Sequence, residues 1–322
     1  FYLAAAWRCL ILPRHDVVIC FTTPPFIALV GVLLKWIKGT RLVYWTMDLY
    51  PEVAGAAGVM KRGSLLWSVL SWIDRLCLRN SDRVVALGHC MEEKLIAKGA
   101  LPETIRTICV WSGAEKFPVR ARMDNPLREE WNIGERFTIL YVGNFGLGHD
   151  MEAIAGAVEQ LKNEDDIRWL FIGEGKTKPI LEERVRACGA KNVTISGYQT
   201  REQLPEVLDV GDAHLVTLLP GWEGLILPSK FFSILAAGKP VLWVGPGESE
   251  CGSILRETQC GFEMASGDSN SLTEKIRFLM THRTEAGEMG QRGRAAYEAK
   301  YSSQRACEKW RAVLIDVIQK RR

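Results

Sequence analysis

A regular succession of short, β-branched apolar runs, separated by segments of helical period, constrains this chain more than any other feature. Runs at 17–21, 41–46, 83–87 and 107–110, then 138–142, 169–172, 193–196, 214–218 and 241–244, read as strands. Segments at 63–78, 151–161, 178–187 and 229–237 carry helical spacing between them. A helix between two strands returns the chain to the starting end, so the strands must be parallel and the sheet faces covered by helices. Thr138-Ile-Leu-Tyr-Val142 is apolar on both alternations, as a strand buried on both faces should be. The alternation breaks at 111–135, a polar stretch with Pro118 and Pro126 that reads as a linker. Beyond Asp268 the chain is almost wholly helical and ends in an amphipathic segment at 302–318. The expected fold class is therefore α/β, with two doubly wound domains facing each other across a cleft. Their bounds are set at 1–124 and 125–300, with a C-terminal helix at 301–322 that could cross back to the first domain.

Composition narrows the class further. A length of 322 residues fits two domains, and 47% hydrophobic with 25% charged residues excludes a disordered or fibrous chain. The longest apolar run, 26–34, is far short of the ~20 residues that span a bilayer. Nine cysteines occur without a CxxC pair or Cys/His zinc spacing, which reads as reduced thiols in a cytosolic core. The Asn192-Val-Thr194 sequon is too common by chance to carry weight. The opening at Phe1 lacks the basic start and cleavage pattern of a signal peptide, and the expectation is that the native N-terminus lies upstream.

Charge is uneven. Residues 1–126 hold 16 basic against 10 acidic side chains, and the remainder holds 25 against 28. The basic half also carries Trp36, Trp45, Trp67 and Trp72, a combination suited to a membrane face or a phosphate-bearing lipid. An ordinary solvated face with buried tryptophans is the alternative. The helix at 63–78 poses the same choice. It follows Lys61-Arg62 and carries Leu65, Leu66, Trp67, Val69, Leu70, Trp72, Ile73 and Leu76 on more than one face.

Ligands of open α/β sheets sit at the carboxyl ends of strands, where the strand order reverses. Three strand ends stand out. Gly143, Gly146 and Gly148 follow one strand and open a helix, so backbone amides can approach phosphate oxygens, although the spacing is GxxGxG and not GxGxxG. His149 there could donate to a phosphate or cap the helix. Gly173 and Gly175 make a second turn. The Gly175-Lys176-Thr177 triplet is no P-loop, because Leu170 stands where the earlier glycine would have to be. In the third segment, Pro228 and Ser229 open a helix next to Lys230. A lysine is unfavourable at that end of the dipole unless an anion offsets it. Gly238 and Pro240 close the helix. In the first half, Asp48 ends a strand and could orient an acceptor hydroxyl, act as a base, or cap the next turn. Glu52 is a second, weaker candidate. No Asp-x-Asp occurs, and His15, His89, His214 and His282 read as structural or solvated.

Taken in order, Asp48-Leu-Tyr-Pro-Glu52, Ser81-Asp-Arg-Val-Val-Ala-Leu87, Gly143-Asn-Phe-Gly-Leu-Gly-His149, Pro228-Ser-Lys230, Ala236-Ala-Gly-Lys-Pro240 and Gly247-Glu-Ser-Glu250 form a set. The set resembles the retaining family-4 glycosyltransferases of the GT-B fold, the group that includes colanic-acid and O-antigen sugar transferases. The resemblance covers nearly the whole chain. It implies two Rossmann-like domains, with a nucleotide-sugar donor, UDP-linked, held by the second. Gly143, Asn144, Gly146 and His149 would approach the donor phosphates, Asn144 and His149 standing where many relatives carry Arg and Lys. Lys230, with Pro228 and Ser229, would supply the main cationic contact. Gly197, Tyr198 and Gln199 would hold the base, and Glu174 would line the same pocket. No metal or cofactor is implied, the nucleotide sugar being a substrate. The implied acceptor is a lipid-linked saccharide, met by peripheral contact at the cytoplasmic face of the membrane, and no nucleic acid is involved.

Two departures accompany the resemblance. The family's Glu-x7-Glu pair falls on Leu225 and Ser233, so Ser233 offers only one hydroxyl to a ribose. The family's opening strand and glycine-rich loop have no counterpart at the start of this sequence. Two other readings stay open: a sugar-nucleotide epimerase of the same fold, disfavoured by the poverty of acidic and histidine groups, and a non-catalytic nucleotide-sugar-binding relative.

Overall fold

The computed structural model describes residues 1–112, 116–117 and 122–319, which form two compact α/β units. The first comprises Phe1–Val110, Gly221–Leu227 and Gln304–Arg322; the second comprises Trp111–Pro220 and Pro228–Ser303.

The first unit runs α1 (Tyr2–Ile11), β1 (Val17–Cys20), α2 (Ala28–Lys38), β2 (Arg41–Trp45), α3 (Glu52–Ala56), α4 (Leu65–Asn80), β3 (Arg83–Ala86), α5 (His89–Lys98) and β4 (Ile105–Thr107). Its four strands pair in parallel in chain order. All four residues of β3 are buried, as expected of a strand covered on both faces. Asp82, just before β3, accepts from the Leu42 amide at 2.8 Å and from Lys35 and Arg41 at 2.9 Å. Burial raises its pKa, but these bonds more than offset that and hold the carboxyl below its usual range.

The second unit contains α6 (Pro126–Glu130), β5 (Phe137–Val142), α7 (Met151–Gln160), β6 (Ile167–Ile172), α8 (Lys178–Cys188), β7 (Val193–Ser196), α9 (Leu204–Val210), β8 (Ala213–Thr217), α10 (Lys230–Ala237), β9 (Val241–Val244), α11 (Glu250–Thr258), β10 (Gly261–Met264), α12 (Ser269–Thr281) and α13 (Arg283–Ala296). Its parallel sheet has the order β10-β9-β8-β5-β6-β7. The β5 side chains explain why both faces are covered. Phe137, Ile139 and Tyr141 join Ile154, Val158 and Ile276 in one core, while Leu140 turns to Leu127, Val207 and Val210 in the other. Each fully buried side chain of this kind contributes about 1.5–3 kcal/mol.

Helix α14 (Ser303–Gln319) packs within the first unit. Its buried residues Ala306, Trp310, Val313 and Val317 fall on one stripe, and the Trp310 ring lies 4.5 Å from that of Trp45. Arg83 pairs with Asp316 on the same helix.

Three local readings of the sequence are revised. The strand expected at 107–110 forms earlier, at Ile105–Thr107, because its partner β3 ends at Ala86. Strand β10 was not expected, since Gly261-Phe-Glu-Met264 has no apolar run. The linker expected at 111–135 includes 113–115 and 118–121, which lie outside the described residues. Its later part is folded. There Asn125 caps α6, accepting from the Leu127 amide at 3.0 Å, and buried Arg128 donates to the carbonyls of Gly134, Val210 and Arg136.

Candidate active site

In the second sheet the chain steps outward from β5 to β6 and β7, then returns to β8 and steps the other way. The reversal lies between β5 and β8, and the crevice beyond their carboxyl ends is where such a sheet binds ligands. The turns there are built from backbone. Gly173, after β6, has φ +142°, and a Cβ on it would lie 1.9 Å from the Gly143 carbonyl oxygen. Only glycine allows the turns after β5 and β6 to meet in this way. The Phe145 amide donates to the Glu174 carbonyl at 2.9 Å, which fixes the two turns together.

Lys230 is the first residue of α10 and projects over this floor. Its Nζ lies 3.7 Å from the centroid of the Tyr141 ring and 3.5 Å from the Asn144 carbonyl oxygen. A Cβ on Gly143 would stand 3.4 Å from its Cε. The Tyr141 hydroxyl donates to the same Asn144 carbonyl at 2.9 Å and so shapes the turn under the lysine. Lys230 makes no ion pair among the described residues, and desolvation pushes its pKa well below the usual lysine value. The ammonium also sits at the positive end of a helix whose N-cap, Ser229, makes no side-chain capping bond. An uncompensated cation in this place is stabilised by a bound anion.

Of the two roles open to His149, the structure overturns the helix cap. The helix cap is its neighbour Asp150, which accepts from the Ala153 amide at 3.0 Å. His149 Nδ1 lies 2.7 Å from the Thr217 carbonyl oxygen, so Nδ1 must carry the hydrogen. Burial, with Lys230 nearby, lowers its pKa to about 3. The ring is neutral, and Nε2 offers a lone pair rather than an N–H. In this state it cannot donate to a phosphate.

The remaining predicted residues spread along the strand ends. Gly146 accepts from the His149 amide at 3.1 Å. Glu174 is ion-paired to Lys178 at 2.8 Å, a Cβ on Gly197 would lie 3.0 Å from its carboxylate, and its carbonyl accepts from the Tyr198 hydroxyl at 3.3 Å. Tyr198 and Gln199 are exposed. Pro228 is buried ahead of the helix and not in its first turn. Ser233 shares a hydroxyl–hydroxyl bond of 3.2 Å with Ser112.

Asp48 belongs to the first unit. Its backbone amide donates to Thr22 Oγ1 at 3.1 Å, while among the described residues its carboxylate accepts no hydrogen bond and caps no helix. Burial raises its pKa, which suits a group that gains a proton during a reaction. Glu52 is committed elsewhere: it pairs with Lys98, which also holds Asp74 at 2.9 Å and the Tyr50 carbonyl at 2.8 Å. It lines a pocket of about 480 Å³ with Trp67, Trp72 and Arg75. Among the described residues no group of three His, Cys, Asp or Glu side chains could hold a metal ion.

Comparison with known proteins identifies the family. The family described as glycosyl transferases group 1 matches residues 124–296, and a glycosyl transferase 4-like domain matches residues 2–111. The chain is a group 1 glycosyltransferase. It is 29% identical to WbjE of Pseudomonas aeruginosa, named as a glycosyltransferase, over 93% of this chain and 74% of that protein. It is 30% identical to WcaI of Escherichia coli (strain K12), whose name ties it to colanic acid biosynthesis, over 69% of this chain and 55% of that protein. Among solved structures, Anabaena HepE in complex with UDP superposes with a TM-score of 0.78 at 13% identity, over 98% of this chain and 82% of that one. The fold class is GT-B, as the motifs implied.

Two parts of this candidate site escaped the sequence reading. Tyr141 lies under the lysine, and its signal was its place one residue before the strand end that precedes Gly143. Thr217 sets the state of His149 from a strand 68 residues away, and nothing local announced it.

Proposed function

We propose that this glycosyltransferase moves a hexosyl or N-acetylhexosaminyl group, with retention, from a UDP-sugar to a lipid-linked saccharide in cell-surface polysaccharide synthesis. The observation that carries the reading is Lys230, a half-buried ammonium with no carboxylate partner among the described residues, held over the Tyr141 ring and the Gly143 backbone. A donor diphosphate supplies the missing negative charge. As the bond from the anomeric carbon to the phosphate oxygen breaks, that oxygen keeps the electron pair, and Lys230 with the nearby amides stabilises it without a metal ion. Gly197, Tyr198 and Gln199, beside Glu174, hold the uracil. Ser233 contacts the ribose with its single hydroxyl. Asp48 orients the acceptor hydroxyl and takes its proton.

Other findings support parts of this reading. HepE has been crystallised with UDP and with UDP-glucose, and WcaI carries the colanic-acid name. No helix among the described residues is long and apolar enough to cross a membrane. Peripheral contact through the exposed Leu65, Leu66, Val69 and Trp72 of α4 would bring the enzyme to a lipid-linked acceptor.

The test is an assay with UDP-glucose or UDP-N-acetylglucosamine and a polyprenyl-diphosphate saccharide acceptor. Acceptor-dependent UDP release with an extended product of retained anomeric configuration is expected. Interconversion of the donor sugar without acceptor would mean an epimerase. Nucleotide binding with no turnover would mean a binding relative.

A further inference from the structure

At the mouth of the β5 turn this chain holds a histidine, His149, in one tautomer. The Nδ1–H is committed to the Thr217 carbonyl at 2.7 Å, with Thr217 Oγ1 a further 3.4 Å contact. Among the described residues Nε2 has no partner, and the residue is only 9% exposed. A lone pair at this position repels a phosphate oxygen and attracts a hydroxyl hydrogen.

Strand order says which hydroxyl is within reach. Along the row of carboxyl ends, the turn after β7 carries Gly197 and Tyr198, β6 carries Glu174, β5 carries Gly143 and Asn144, and β8 ends at Thr217, against which His149 is held. Strands ~4.8 Å apart set the β7 and β8 ends about 14 Å from each other. If the base lies at β7 and the diphosphate at β5, the next place along the row is that of the transferred sugar.

We propose that His149 is a donor-sugar reader: its Nε2 accepts a hydrogen bond from a hydroxyl of the transferred sugar and makes no contact with phosphate. The inference rests on the donor-site reading given above. The groups facing the ring are Lys230 from α10, the Tyr141 ring from β5 at 6.1 Å, Thr217 from β8, and the adjacent Asp150. The Asp150 carboxylate is bonded to the Ala153 amide at 3.0 Å and to the Gly267 amide at 2.8 Å, not to the ring. With the Nδ1–H given to the Thr217 carbonyl, Nε2 is left as the acceptor that faces the site.

Calorimetric titration of UDP, UDP-glucose, GDP and GDP-mannose into wild type, His149→Phe and His149→Gln, in buffers of different ionisation enthalpy, tests this. For the nucleotide that binds, His149→Phe should leave the diphosphate affinity within about twofold and weaken the nucleotide sugar about tenfold, the size of one lost hydrogen bond. His149→Gln, which can place a carbonyl oxygen near the Nε2 position, should recover most of that loss. Wild type should bind the diphosphate without taking up a proton. Proton uptake on binding UDP or GDP, or an equal loss for diphosphate and nucleotide sugar in His149→Phe, overturns the inference in favour of a phosphate contact. If His149→Phe melts early, His149→Asn keeps a donor for Thr217 without reaching the Nε2 position, and the same comparison applies. A folded wild type that binds none of the four ligands removes the donor site itself, and with it this role.

Discussion

At the scale of single residues, Lys230 should show opposite effects on stability and activity. A lysine pKa depressed in the fold means that the native state disfavours the charge that the unfolded chain carries freely. Lys230→Met removes that penalty and keeps the aliphatic contact with Tyr141, so the unligated variant should melt at or above the wild-type temperature. Its kcat/KM should fall roughly 100- to 1,000-fold, because the leaving phosphate loses its cation. A variant that melts lower and turns over normally would assign Lys230 to the core and not to the chemistry. The buried histidines set a second expectation. His149 and His214 both have pKa values lowered to about 3, His214 with Nε2 bonded to the Leu208 carbonyl at 2.9 Å. Below about pH 6.5 the unfolded chain binds protons at both and the folded chain does not, so stability must fall as pH drops. At pH 5 the loss is about 2 kcal/mol for each, seen as an early fall in the urea midpoint between pH 6.5 and 5. A midpoint flat over that window would contradict the burial of neutral rings.

At the scale of elements, the site depends on two turns meeting. Gly173→Ala must displace the Gly143 carbonyl, which a Cβ would approach to 1.9 Å, at a backbone of φ +142°. The expected cost is about 2 kcal/mol or more, with nucleotide affinity falling further than stability because the turn that moves is the floor under Lys230. Gly267→Ala, also at positive φ but with open space around it, is the control and should cost stability without affinity. The same elements show what a sequence discloses. Strands such as β5, β8 and β9 are legible because burial on both faces forces a continuous apolar run, and the glycines mark where backbone approaches backbone. Strand β10 was hidden because an edge strand with Glu263 on its open side needs no such run. The start of α10 at Lys230 was legible to within a residue. The His149 tautomer was not, since it depends on a strand order that brings β8 beside β5. Asp48 and Glu52 look alike in sequence, and only the partners of Lys98 separate a committed carboxylate from an uncommitted one.

At the scale of the whole molecule, the excess of basic residues before position 126 and the apolar exposure of the first unit fall together. Leu65 is 83% exposed and Trp72 62%, and with Leu66 and Val69 they follow i, i+1, i+4, i+7 spacing along the outer side of α4. Lys61 and Arg62 are exposed just ahead of that helix, and Arg75 and Arg79 further along it. Scattered exposed leucines need no explanation, but a stripe with an indole at one end and basic residues around it matches a helix lying at a lipid surface. Binding to anionic vesicles follows, and it should be salt-dependent, because the Debye length falls from about 10 Å at 0.1 M to about 3 Å at 1 M salt. In co-sedimentation the chain should partition to anionic vesicles at low salt, not to zwitterionic ones, and should be released at high salt. Leu66→Glu with Trp72→Glu should abolish partitioning while the melting temperature changes little, since both side chains already face solvent. Lys61→Glu with Arg62→Glu should weaken it and flatten the salt dependence, leaving the apolar contribution. If the wild type stays in solution with anionic vesicles at low salt, the stripe is not a lipid contact, and a lipid-linked acceptor must be recognised through its saccharide and phosphate groups alone.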